Sequence, residues 1–318
     1  MRVDVHAHDF PPAYMSYLAE HGSASAGRGG SAPGWGISLE QRLDIMDQHG
    51  VAMQVLSVGA TTPYLENEVN GAYAARLAND LFLEIGAQRT GRFGIFGTLP
   101  LPHVDAALAE TERCLGELHM LGVTLGCSIA GRPLDEPEFS PLFEELDHRG
   151  AVLFIHPQGV GATGPLVQGP GLRPLVGLPF EDTVSSVRLA LSGWIDRYPN
   201  IRVIVPHLGG MLPYLFGRFD YTLEALEGQP AGDWRLERQV IQGLRRFWFD
   251  TVSNHPPALR CACETLGADR LVFGSDFPFL VGDQFTRCVN YIGESGLAEE
   301  DARAILDGNA AALLGLAE

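Results

Sequence analysis

The chain has 318 residues, 46% of them hydrophobic, and a formal net charge of −17. That acidity argues against nucleic acid or an anionic membrane surface as a partner, since either needs a basic face. All 22 residues of the Lys+Arg count are arginine, and without lysine there is no Schiff-base, P-loop or carbamylated-lysine dinuclear chemistry.

The chain opens on Met1-Arg-Val-Asp-Val-His-Ala-His8, where apolar and polar residues alternate. A strand sends residues i and i+2 to one face, so His6 and His8 point the same way, about 7 Å apart along the backbone. Asp9-Phe10-Pro11-Pro12 stops this strand, and a short amphipathic stretch runs to about Glu20. Residues 22–36, rich in Gly, Ala and Ser, read as a mobile loop over the site, with a substrate lid as the alternative reading.

From Ser38, an N-cap, Leu39, Leu43 and Met46 describe a helix that Gly50 ends. Residues 52–58 form a buried strand. A helix over 65–87 follows, with Val69, Tyr73, Leu77 and Leu81 at helical spacing, and then a strand over 93–100. The pattern continues with a helix over 104–119, a strand over 122–128, a helix over 140–149 and a strand over 151–157. A second Gly/Pro-rich loop, 158–179, precedes a helix from Thr183 to Tyr198 and a strand over 201–207. Gly209-Gly210 opens a helix to about Leu226, further helix leads to a strand over 247–253, and a helix over 257–267 precedes the last strand, 271–276. Helices over 283–293 and 299–315 close the chain.

Eight near-continuous apolar strands, each followed by helix, predict parallel pairing with both faces covered. The fold class is therefore α/β, a (β/α)8 barrel in one domain over 1–318. An open doubly wound sheet fits less well, because no G-x-G-x-x-G follows a strand. Cys114, Cys127, Cys261, Cys263 and Cys288 are odd in number and lack a Cys-Xaa-Xaa-Cys pair, which suits packing thiols in a reducing compartment. With no signal-peptide core and no apolar run near ~18 residues, the expected location is cytoplasmic.

In a parallel barrel all strand C-termini meet at one mouth. His6 and His8 end the first strand, His156 the fifth, His207 the sixth and Asp276 the eighth. Five metal-competent residues thus converge. Imidazoles with a carboxylate and no thiolate suit one divalent ion, Zn2+ first, with Mn2+ or Fe2+ as alternatives and no organic cofactor. His255, after the seventh strand, either joins the mouth or starts a helix before Pro256-Pro257. His21, His49, His103, His119 and His148 fall in helices or turns and are expected at the surface.

The DVHAH opening, a histidine before proline at 156–157, PHLGG after the sixth strand and GSDFP after the eighth resemble the amidohydrolase superfamily. MDQHGVAMQVLS, FGTLP, LVGLPFEDT, the run from YPNIRVIVPHLGG to Gly217-Arg218 and a closing GNAAALLGL resemble one branch of it. That branch is typified by 2-amino-3-carboxymuconate-6-semialdehyde decarboxylase and the decarboxylases of hydroxybenzoates such as 6-methylsalicylate. The resemblance implies His6, His8, His156 and Asp276 as metal ligands and His207 as the proton-handling residue, with Asp276 able to pass a proton as well. It also implies non-oxidative decarboxylation of a small aromatic or unsaturated carboxylic acid, and a homodimer. The same residues also serve a hydrolase of a lactone or amide.

The sequence departs from that branch's namesake where two arginines should grip a dicarboxylate: the first region offers only Arg28 in a glycine run, and the second reads FDYTLEALEG. A monocarboxylic aromatic acid is therefore expected, with Phe10, Arg173, Phe180 and Phe279, and Trp35 beside them, as substrate-lining candidates.

Overall fold

The structure, a computed structural model, describes residues 1–23, 25–26, 32–159, 161, 167, 169, 171–237 and 239–316. Arg28 and parts of the 22–36 and 158–179 loops lie outside the described residues. The strands are β1 (Val3–His8), β2 (Met53–Ser57), β3 (Phe93–Thr98), β4 (Gly122–Gly126), β5 (Ser128–Ile129), β6 (Arg132–Pro133), β7 (Val152–His156), β8 (Arg202–Val205), β9 (Trp248–Asp250) and β10 (Leu271–Val272). Strands β5 and β6 pair only with each other, antiparallel, while the other eight form one sheet in chain order with every pairing parallel. Backbone bonds from Val5 N–H to Phe273 O (3.0 Å), Asp276 N–H to His6 O (2.8 Å) and His8 N–H to Phe277 O (2.6 Å) join the last strand segment to the first. The eight expected strands are all present, and the sheet closes into the expected barrel.

The closed sheet divides the apolar residues into two layers. Inside, Val5, Val55, Phe96, Phe154, Ile204 and Val272 pack together, and the C-terminal helix Asn309–Leu314 plugs them with Leu313 and Leu314. Outside, a larger cluster fills the space between strands and helices. A fully buried Phe154 or Phe96 contributes about 1.5–3 kcal/mol relative to exposure. Phe154 has a second role, because its ring lies 5.1 Å from that of His6 and 5.8 Å from that of His156, forming an apolar floor under the mouth. Among the described residues no helix is long and apolar enough to cross a membrane.

The helix Leu39–Gln48 starts as expected: Ser38 Oγ accepts from Gln41 N–H, and the Gln41 side chain reciprocates on the Ser38 N–H. Other local expectations need correction. In the helix Glu68–Gln88, Val69 and Tyr73 face solvent, and the buried face is Gly71, Ala74, Ala75, Ala78, Asn79 and Phe82. Small side chains let that helix lie close to the barrel, so size outweighed hydrophobicity in choosing its face. The expected helix from Thr183 to Tyr198 begins earlier, at Leu178, and breaks after Leu191 because Gly193 takes a left-handed φ of 73°. The end of the expected 158–179 loop is a helical turn, Arg173–Gly177. The β5–β6 hairpin was not anticipated from the sequence. Of the histidines expected at the surface, His49 and His103 are half-buried and bonded, to Ile45 O and Thr286 Oγ1 and to Leu65 O. All five cysteines are unpaired.

Candidate metal centre

Strand β1 carries a bulge: Asp4 pairs with Gln54 and Ala7 with Leu56, leaving Val5 and His6 opposite a single residue of β2. A bulge bends and twists a strand and re-aims its side chains. Here the Nε2 atoms of His6 and His8 stand 3.0 Å apart. Asp276 Oδ1 is 3.3 Å from each, and His156 completes a group whose ligand atoms all lie within 4.8 Å of one another.

An imidazole presents one nitrogen reliably when the other is tied down. All three histidines are tied through Nδ1: His6 to Asp250 Oδ2 at 2.5 Å, His8 to Ser57 Oγ at 2.9 Å, and His156, donating to Pro157 O, at 2.9 Å. Their Nε2 atoms are left for the common centre. Asp4, fully buried, fixes the frame. One of its oxygens accepts from His6 N–H and Ser275 N–H, the other from Gln54 Nε2 and Ser275 Oγ, so it ties β1 to both neighbouring strand segments. Arg42 extends this network, donating to Gln54 Oε1, His8 O and Asp9 Oδ2. Gly59 closes round His8, since a Cβ there would stand 2.8 Å from the imidazole.

Electrostatics separate the imidazoles. Burial pushes His8 below its usual range and His156 well below, the latter aided by neighbouring imidazoles. His6 is also buried, but Asp250 and Asp276 outweigh that and push it up to about 10. Burial would raise Asp276, yet His6 and His8 hold its carboxyl well below the usual range. Two carboxylates thus demand positive charge among buried imidazoles. A divalent cation meets that demand in place of protons, and N3O donors of this kind suit zinc or manganese.

His207 sits beside this group, its ring centroid 5.4 Å from that of His6 and 6.2 Å from that of His156. Its Nδ1 is 2.8 Å from Asp182 Oδ2. Burial lowers the His207 pKa and the Asp182 carboxylate raises it, with a net rise; burial also lifts Asp182 to about 6. Asp250 links the two halves of the site, for the oxygen not on His6 accepts from His207 N–H at 2.8 Å and Val252 N–H at 2.9 Å. The backbone is strained here: His207 and Leu208 have φ of 54° and 55°, and Asp276 has φ of 60°. Gly210 permits the tight turn, because a Cβ there would lie 2.1 Å from Pro179 O.

One cavity borders His8 and another borders His207. The first, about 330 Å3, is walled by His8, Phe10, Trp35 and Phe277 among others. Phe10 and Phe279 each lie 6.0 Å from His8, ring to ring, and Phe10 stacks on Trp35. The other, about 310 Å3, is walled by His207, Tyr214, Ser253 and His255. His255 accordingly borders the mouth and also precedes the helix starting at Pro256. Arg173 donates to Gln158 O, and its Nε is buried without a partner. Phe180 is exposed. No bond or ring contact joins Arg173 or Phe180 to the four clustered residues among the described residues.

The strand-end residues identified from the sequence come together; Asp4, Ser57, Asp182 and Asp250, which hold them, were missed. A signal existed for two of them. Asp4 in VDVHAH and Asp250 in FWFD are carboxylates inside apolar strands, and a buried carboxylate needs partners.

The family model described as amidohydrolase matches residues 3–316. A 6-methylsalicylic acid decarboxylase of Penicillium expansum is 32% identical over 314 residues, covering 97% of this chain and 94% of the relative. Among solved structures, 5-carboxyvanillate decarboxylase from Sphingomonas paucimobilis superposes with a TM-score of 0.87 at 24% identity, covering 99% of both chains. A dihydroxybenzoic acid decarboxylase from Polaromonas, holding manganese and the inhibitor 2-nitroresorcinol, has a TM-score of 0.84 at 24% identity, covering 99% of this chain and 96% of its own. Because the family model spans nearly the whole barrel, from the first strand to the closing helix, the chain belongs to the amidohydrolase family.

Proposed function

We propose that this protein is a divalent-metal-dependent, non-oxidative decarboxylase of a small aromatic monocarboxylic acid. The observation that carries the reading is the junction of two groups: His6, His8, His156 and Asp276 gathered around one point, and His207 beside them with its Nδ1 held by Asp182. In this reading the four are the metal ligands. A bound Zn2+, or Mn2+ in its place, supplies a fixed positive charge for the substrate carboxylate and the oxygen next to it.

The protein's part is positioning and proton transfer. Phe10 and Phe279 line the side on which an aromatic ring enters, with Arg173 and Phe180 as outer lining. His207, whose pKa the Asp182 carboxylate raises, delivers a proton to the ring carbon bearing the carboxylate, with Asp276 as the group able to relay one. The C–CO2 bond then breaks, its electron pair restores the ring, CO2 leaves and the proton remains as C–H. Charge is balanced without a redox partner. The apolar floor of Phe154 lowers the polarity beneath the cluster, which strengthens each charge interaction there.

We place residues 1–318 in one barrel domain, the 22–36 and 158–179 loops over its mouth, and the enzyme in the cytoplasm as a homodimer. Leu175, Val176, Val184, Tyr214 and Tyr221 are exposed on segments flanking β8, and exposed apolar side chains of this kind suit cover by a second copy. Metal analysis joined to a CO2-release screen over hydroxylated benzoic acids tests the reading. Stoichiometric CO2 with one metal per chain supports it, whereas lactone or amide opening without CO2 would replace it by the hydrolase.

A further inference from the structure

At the opposite end of the barrel from the metal cluster, a cavity of about 190 Å3 has three arginines in its wall: Arg202, which opens β8, Arg246, and Arg270, which precedes β10. In a chain of net charge −17 such a concentration of cations stands out. Their acidic neighbours do not balance them. Arg202 donates to Gly150 O (3.1 and 2.8 Å) and Leu313 O (2.5 Å), and no carboxylate lies within 4.0 Å of it among the described residues. Arg246 donates to Ile195 O and Pro199 O, and its acid, Asp196 at 3.6 Å, is nearer to Arg235 at 2.5 Å. Arg270 has, among the described residues, only its neighbour Asp269, at 3.3 Å.

Two further features give the cavity a chemical character. Tyr198 is 3% exposed and lines the cavity, yet among the described residues its hydroxyl has no hydrogen-bond partner. Buried hydroxyls are rarely left so, because the missing bond is costly. Trp248 offers a flat apolar surface, with the Arg270 guanidinium carbon 4.7 Å from its ring centroid, and Ile201 adds to the apolar wall. Guanidinium groups match a carboxylate in charge and geometry, and an indole face matches a planar ring. The volume is too small for a nucleotide-sized ligand.

The geometry points to a second binding site here, for a small planar organic carboxylate of about the size of benzoate, remote from the metal centre. The carboxylate lies among the guanidinium groups and the ring against Trp248 and Ile201. Because the two sites occupy opposite ends of the barrel, this one binds without competing for the mouth, and it stands whether or not the reaction proposed above is correct.

The test is calorimetric titration of the metal-loaded enzyme with benzoate and, separately, with inorganic phosphate, together with crystals soaked in 4-bromobenzoate. Bromine located in this cavity, on the Trp248 and Ile201 side and away from the guanidinium groups, supports the site. Arg246→Gln with Arg270→Gln should weaken benzoate binding at this site at least tenfold while leaving any binding at the mouth unchanged; Arg246 is exposed and Arg270 only half-buried, so the fold should survive. Tyr198→Phe should weaken it less. Bromine only at the mouth, or undiminished binding in the double variant, overturns the inference. Phosphate binding without benzoate binding overturns the assignment to an organic acid.

Discussion

The two halves of the mouth use the same side chain for different ends. On the β1–β7 side, His8 and His156 rest against a hydroxyl and a carbonyl, and burial keeps them neutral. On the β8 side, His207 rests against a carboxylate, and its pKa rises. A neutral imidazole can serve as a metal ligand and a protonated one as an acid, so for these three the Nδ1 partner separates the two proposed roles. His6 lies between, facing Asp250 and Asp276, where positive charge is wanted whether from a proton or a metal.

The most damaging change to this contrast is His156→Ala, which removes a proposed metal ligand. Metal content and turnover should fall together, measured by elemental analysis and CO2 release. Next is His207→Asn, expected to lower kcat by about 10²–10⁴-fold while metal content stays near that of the parent; full activity would remove His207 from the mechanism. Asp250→Asn touches both halves at once, loosening His6 and the strained backbone of His207, and should cost about 10–100-fold in metal affinity or activity. Metal titration beside kcat tells which half suffers more.

The subtlest change is in pH dependence. His207 starts from 6.5, burial lowers it and Asp182 more than restores it. The acid form therefore persists above pH 6.5, and activity that needs it declines as pH rises through the raised value. Asp182→Asn removes the raising influence, so that decline should move to lower pH in a pH–kcat profile. An unmoved limb would mean another group supplies the proton.

Local reading succeeded where one element's own residues decide its structure, as with Ser38 and the helix it caps. It failed where a neighbour decides. Val69 and Tyr73 have the spacing of a buried stripe but face solvent, because the barrel accepted the alanine face of that helix at closer range. The one helix expected through Tyr198 is broken at Gly193, a residue free to turn the chain where an L side chain would be strained.

The sequence by itself determined the alternation of apolar strands and helices, and with it a barrel whose mouth must collect His6, His8, His156, His207 and Asp276, since parallel strands end on one side. Only the tertiary structure decided which imidazoles burial pushes down, His8 and His156, and which a neighbouring carboxylate pushes up, His6 and His207. That depends on Ser57, Asp182 and Asp250, separated from their histidines by 49, 25 and 244 residues. Hydrogen bonds form or fail over a few tenths of an ångström. Distances of that order are set by how the barrel closes and where β1 bulges, and neither is written in the periodicity of a single strand.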